Sequence, residues 1–174
     1  MAKLKFYDVS RDYIKYLKHY DNKIPDIDYD RFSKFFCGVV LQIDRYNYFA
    51  PVTSFNKQQR TNFLIRDKGR PISSIRFSFM FPAFDQVLTL TDFGSKPQSY
   101  KDLVNAEIKY CNQSADKIYK KAIEVYKIGV NKNHPLNYTC CNFNLLEEKS
   151  LEYINNLADT IKEIAASTDN KSTE

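Results

Sequence analysis

The stretch Phe35-Phe36-Cys37-Gly38-Val39-Val40-Leu41-Gln42-Ile43 is almost wholly apolar, and after Asp44-Arg45 the chain resumes with Tyr46-Asn47-Tyr48-Phe49-Ala50. Two runs rich in aromatic and β-branched residues, joined by a short polar break, predict a β-hairpin. The first run has no polar side of its own, so both of its faces need cover and it belongs in the middle of a sheet. Whatever else the chain does, it must build a β-layer around this strand.

The flanking sequence follows from that requirement. Leu4 to Val9 alternates as a short strand does, and Ser10 precedes an amphipathic stretch from Arg11 to Tyr20 whose apolar face is Tyr13, Ile14 and Leu17. Asp21 to Ser33 is polar, carries Pro25 and reads as a loop. Shorter β-like pieces lie at 62–65, 72–79 and 86–90, with a turn at Lys68-Gly69-Arg70-Pro71. Beyond Pro97 the period changes: Leu103, Val104, Ile108, Cys111, Ile118, Ala122 and Val125 recur at three- and four-residue spacings, with a break near Asn112-Gln113-Ser114. Asn144 is placed to cap a last helix carrying Leu145, Leu146, Ile154, Leu157, Ile161 and Ile164, with Glu147 and Glu148 in its first turn. The expected fold is α+β: a compact, mostly antiparallel, barrel-like sheet covered by helices. Residues 1–166 form its single domain, and 167–174 a polar tail that needs no fold.

Composition bounds the function. At 174 residues, 43% hydrophobic and 15% aromatic, the chain can bury one core. Its 26 Lys and Arg against 21 Asp and Glu leave +5, which suits a polyanionic partner and equally suits simple solubility. No apolar signal segment follows Met1-Ala2-Lys3-Leu4-Lys5, and no hydrophobic run approaches the roughly 20 residues that span a bilayer, so a cytoplasmic location is expected. Cys37, Cys111, Cys140 and Cys141 show no CxxC spacing and His19 and His134 are far apart in sequence, which argues against a zinc site and for buried thiols. Gly-rich phosphate loops, HExxH and GxSxG are all missing, so NTPase, zinc-protease and esterase chemistry drop out. No metal or cofactor is expected.

What remains is Thr53-Ser54 with Lys57, together with Tyr29, Arg31 and Lys34 from the preceding loop. Antiparallel pairing of the two apolar runs would bring the residues before the first, Lys34 among them, beside Thr53 and Ser54 after the second. Two hydroxyls and two ammonium groups in one cluster can hold and react a phosphodiester. The same residues also make an ordinary polar hairpin end in which Thr and Ser satisfy loop amides. Pattern alone leaves both readings open.

A resemblance separates them. Lys5-Phe6-Tyr7, Tyr13-Ile14-Lys15-Tyr16-Leu17, Gly38-Val39-Val40-Leu41-Gln42-Ile43, Tyr48-Phe49-Ala50-Pro51-Val52-Thr53-Ser54 and Cys141-Asn142-Phe143-Asn144-Leu145-Leu146-Glu147-Glu148-Lys149 follow one another in the order and at the spacings of the ToxN/AbiQ family. The sequence resembles those toxins of type III toxin–antitoxin systems from its first strand to its last helix. The resemblance implies an endoribonuclease with a sheet akin to the Kid/MazF/CcdB toxins. It implies inhibition by a repeated pseudoknot antitoxin RNA that the toxin cuts from its own precursor, in an RNA-bridged oligomer, and release during phage infection to degrade transcripts. It carries catalytic roles onto Tyr29, Lys34, Thr53, Ser54 and Lys57, and names Tyr13 as a further candidate. The family often reads Thr-Ser-Pro-Lys, whereas Phe55-Asn56 separates Ser54 from Lys57 here, and the loop between Tyr29 and Lys34 is one residue longer.

The chemistry implied is attack of a ribose 2′-OH on the adjacent phosphate, which needs proton transfer at both ends and stabilisation of negative charge on the phosphoryl oxygens. Lys57 or Lys34 suits the charge, Ser54 and Thr53 the phosphate and the 2′-OH, and Tyr29 proton donation or base stacking. RNA binding falls to Tyr13, Arg31, Arg60, Arg66, Lys68 and Arg70, within a basic β half that also contains Arg45 and Arg76. A non-catalytic RNA-binding module and a toxin acting on a protein target are the alternatives.

Overall fold

The computed structural model describes residues 3–26 and 35–169. Strand β1 (Lys5–Val9) is followed by helix α1 (Arg11–Tyr20), then β2 (Phe36–Ile43), β3 (Tyr46–Thr53), β4 (Asn62–Asp67), β5 (Arg70–Arg76), the two-residue β6 (Phe81–Pro82) and β7 (Leu88–Leu90). Three helices complete the chain, α2 (Gln98–Gln113), α3 (Ala115–Val130) and α4 (Phe143–Asp169).

The strands form one antiparallel sheet in the order β4-β5-β3-β2-β1-β7, with β6 paired to β3. The apolar run does take a central place: Phe36 to Val40 are buried or half-buried throughout. Both turns that set the register use left-handed backbone. Asp44 has φ 50° between β2 and β3, and Lys68 (47°) and Gly69 (81°) turn β4 into β5, a pair of positive values whose twist matches that of the strands they join. The expected barrel does not close. Among the described residues β4 and β7 are its two edges, and nothing joins one to the other.

Helix α3 lays Ile118, Ala122, Val125 and Ile128 on the sheet, all buried. Gly129 admits the ring of Phe143, which would lie 2.3 Å from a Cβ at that position. The break expected near residue 114 is there, as Ser114 accepts from the N–H groups of Lys117 and Ile118 to start α3 afresh. Leu4 is tied to α2 by two hydrogen bonds with the Asn112 amide, each 3.0 Å. All four cysteines are buried and free.

Helix α4 starts two residues earlier than expected. Asn142, not Asn144, supplies the cap: its Oδ1 accepts from the Leu145 N–H at 3.3 Å, while its own N–H donates to buried Asp21 at 2.7 Å. The helix continues to Asp169, into the stretch expected to be without structure. None of the helices described is long and apolar enough to cross a membrane.

Candidate functional site

Strand β3 ends at Thr53 and leaves the sheet there. The β2 pairing places Phe36 opposite Pro51, and the Val52 N–H donates to the Phe35 carbonyl, so the hairpin register is the expected one. On the other side Val52 pairs with Ile75 and Thr53 with Ser74 of β5. Hydrogen bonds then fix the chain beyond Thr53. Ser74 Oγ donates to the Phe55 carbonyl at 2.6 Å, and the side chain of buried Asn62 accepts from the Gln59 N–H (2.8 Å) and donates to the Lys57 carbonyl (2.9 Å). These bonds satisfy backbone groups of a polar surface loop and hold it against β4 and β5.

Thr53 and Ser54 line a cavity of about 680 Å³, within the roughly 300–1,000 Å³ typical of ligand sites. Its walls are the turn after α1 (Asn22 to Asp26), the end of β3, β5 and the first half of α2. Three residues without a catalytic role in the sequence reading face it. Arg76 carries its guanidinium carbon 4.8 Å from the ring centres of both Phe55 and Phe79, and its buried Nε has no hydrogen-bond partner among the described residues. Burial lowers the Arg76 pKa, but a guanidinium stays charged at any physiological pH. Glu107 of α2 is 3% exposed, and burial raises its pKa while Ser73 beside it pulls the other way. Ser73 Oγ is itself buried and makes no bond of good geometry, though it lies near enough to Glu107 to act on it. Lys18, paired with Asp26 at 2.5 Å, and Lys23 stand on the side of α1.

The other expected residues divide. Lys57 is exposed and does not line the cavity, and its carbonyl accepts from the Asn62 side chain. Arg60 lies in the loop at the cavity end of the β4–β5 hairpin, whereas Arg66, Lys68 and Arg70 surround its tip, roughly 15–20 Å away at about 3.3 Å per residue. Arg66 Nη1 donates there to the Gly69 carbonyl at 3.1 Å. Tyr13 is corrected: it is fully buried, with its hydroxyl donating to the Pro82 carbonyl at 2.6 Å and its pKa pushed far up by burial, and it has no surface to offer RNA. Tyr29, Arg31 and Lys34 lie outside the described residues.

The family profile described as "Toxin ToxN, type III toxin-antitoxin system" matches residues 5–152. The chain belongs to the ToxN family. This ToxN-family chain is 30% identical over 170 residues to Endoribonuclease ToxN of Pectobacterium atrosepticum, covering 90% of this chain and 98% of that one. It is 25% identical over 166 residues to Endoribonuclease AbiQ of Lactococcus lactis subsp. lactis, covering 86% and 89%. Among solved structures, AbiQ, described as a lactococcal anti-phage endoribonuclease of a type III system, superposes with TM-score 0.80 at 26% identity over 88% of this chain and 99% of that one. A type III toxin selectively inhibited by a non-coding RNA pseudoknot superposes with TM-score 0.79 at 27% identity, over 87% and 98%.

Proposed function

We propose that this chain is an endoribonuclease toxin that cuts RNA in the cavity beneath Thr53 and Ser54, using the substrate's own 2′-OH and no metal. The observation that carries this reading is the meeting of those two hydroxyls with Arg76, a cation whose Nε has no hydrogen-bond partner among the described residues. A phosphodiester seated there takes hydrogen bonds from Thr53 and Ser54 and charge from the guanidinium fork, whose donors match two phosphoryl oxygens.

The 2′-oxygen loses its proton and bonds to phosphorus, the P–O5′ bond breaks, and the departing 5′-oxygen takes up a proton. The products are a 2′,3′-cyclic phosphate and a 5′-OH. Charge accumulates on the phosphoryl oxygens in the transition state, so donors fixed in position around them accelerate the step most. Tyr29 and Lys34 are the proposed proton-transfer groups, and exposed Lys57, three residues after Ser54, adds positive charge to the approach. The partners are a repeat pseudoknot antitoxin RNA, which the toxin processes and which bridges several copies when it inhibits them, and cytoplasmic transcripts.

The test is to incubate the purified protein and its Ser54→Ala variant with RNA in EDTA and to identify the new ends. Cleavage by wild type alone, leaving cyclic phosphate and 5′-OH, is the expected result. Intact RNA with both proteins despite tight, salt-sensitive binding would overturn the enzymatic reading in favour of an RNA-binding module.

A further inference from the structure

Phe35 and Tyr100, which line the large cavity, also line a second one of about 240 Å³. Its other walls are Asp8 and Val9 of β1, Arg11 at the start of α1, and the segment after β7 from Thr91 to Lys96. Its volume lies below the range of sites for drug-sized ligands and suits a single flat ring system. The aromatic side is already organised. Phe93 meets Phe35 edge-on (centroids 5.6 Å apart, 85°) and leans on Tyr100 (6.1 Å, 50°), and Phe35 is stacked from behind by Phe6 at 4.6 Å. The loop carrying Phe93 is pinned by the Gly94 N–H donating to Asp92 Oδ1 at 2.7 Å.

The polar side consists of the Asp8 carboxyl and the hydroxyl of Thr91. Thr91 Oγ1 is buried and makes no hydrogen bond of good geometry among the described residues, though it lies near enough to Asp8 to oppose the rise in its pKa that burial causes. Lys96 acts on Asp8 in the same sense, and with Arg11 brings positive charge to the cavity. Rings for stacking, an acceptor pair at one end and cations for flanking phosphates are what a splayed-out nucleobase requires. A cavity that shares two aromatic walls with a phosphate site is also where the base of a neighbouring nucleotide would fall.

We propose that this second cavity is a nucleobase subsite, which holds a base next to the scissile phosphate and selects one bearing an exocyclic amino group over uracil. An ionised carboxylate only accepts hydrogen bonds. An amino group of adenine, cytosine or guanine donates to it, whereas uracil presents carbonyl oxygens on both sides of its single N–H and would set them against the carboxylate. The inference rests on the cleavage site proposed above and deepens it by assigning its specificity.

The test uses the full-length protein and four short single-stranded oligonucleotides that differ in one base beside a central 2′-deoxy sugar, which prevents cutting. Wild type is expected to bind the amino-bearing probes about tenfold or more tightly than the uracil probe, in line with the 1–3 kcal/mol that a well-placed base contact discriminates. Asp8→Asn, close in shape to the native residue, is expected to erase that preference by weakening the amino-bearing probes and tightening the uracil probe, since a carboxamide N–H donates to a uracil carbonyl, and Thr91→Val is expected to reduce the preference. Equal affinity of wild type for all four probes, binding of none, or a preference that survives both substitutions overturns the proposal. Cleavage of the ribose form is read separately. Base preference without cleavage retires the chemistry and keeps the subsite, and cleavage without preference does the reverse.

Discussion

Gly38 faces Phe49 across the β2–β3 ladder so closely that a methyl group on Gly38 would lie 2.1 Å from the Phe49 ring. Both residues are buried at the centre of the sheet, so the ring has no empty space to retreat into. Gly38→Ala is therefore expected to destabilise the protein by about 1–3 kcal/mol, the cost of overpacking a filled core. For a chain of this size that is a fall in melting temperature of roughly 2–4 °C per kcal/mol, measurable by circular dichroism.

Ser54→Ala and Arg76→Ala should each lower kcat/KM on RNA by about 100-fold or more, with the melting temperature near that of wild type for exposed Ser54 and lowered for Arg76, which loses its packing on Phe55 and Phe79. Arg76→Lys should recover only part of the loss, because an ammonium lacks the planar fork and stacks poorly between Phe55 and Phe79. Full activity in Arg76→Lys would show that a point charge suffices there.

Burial raises the Glu107 pKa above the ordinary carboxyl value, so the folded protein keeps that proton to higher pH than the unfolded chain. The stability tied to it is complete below the unfolded value and is lost as pH rises through the folded one. Glu107→Gln carries no such penalty. Urea unfolding should find the variant gaining on wild type steadily from acid to neutral pH, and a constant difference across that range would refute the assignment.

Glu147 holds two phenols at once: Tyr48 donates to its Oε1 at 2.6 Å and Tyr126 at 2.9 Å. Burial first, and the carboxylate second, push the Tyr126 pKa up to about 12. Ultraviolet titration of Glu147→Ala should show Tyr126 ionising at lower pH, assigned by comparison with the same protein carrying Tyr126→Phe. Loss of the shared acceptor should also cost about 1.5–3 kcal/mol in stability, the range for hydrogen bonds to a charged group.

Several of these elements could be read from residue order because local periodicity determines them. The apolar run ending at Ile43 could only be a covered strand, and the polar interruption at Ser114 could only divide a helix. Tyr13 shows a signal that outweighed a family role: it shares the apolar face of α1 with Ile14 and Leu17, and that face is buried. The cap at Asn142 was missed because Asp21, 121 residues earlier in the chain, orients it. Closure of the sheet depends on whether two distant edges meet, which no local pattern states. Arg76, Glu107 and Ser73 were passed over as catalytic candidates for the same reason: they converge with Thr53 and Ser54 only when β5 and α2 pack against β3. An arginine between Phe55 and Phe79 looks in sequence like any cation near a strand end.

The two hydrogen bonds between Leu4 and Asn112 bear on how this protein comes into being on the ribosome. Strand β1 is sandwiched between β2 and β7, and the residue before it waits for an amide more than a hundred residues downstream. Contacts so remote in sequence form late, since the intervening chain must first be ordered at an entropic cost. A growing chain that has just released Thr53 and Ser54 holds neither Arg76 nor the α2 wall opposite them. The order of synthesis therefore leaves this cavity without two of its walls until β5 and α2 have emerged.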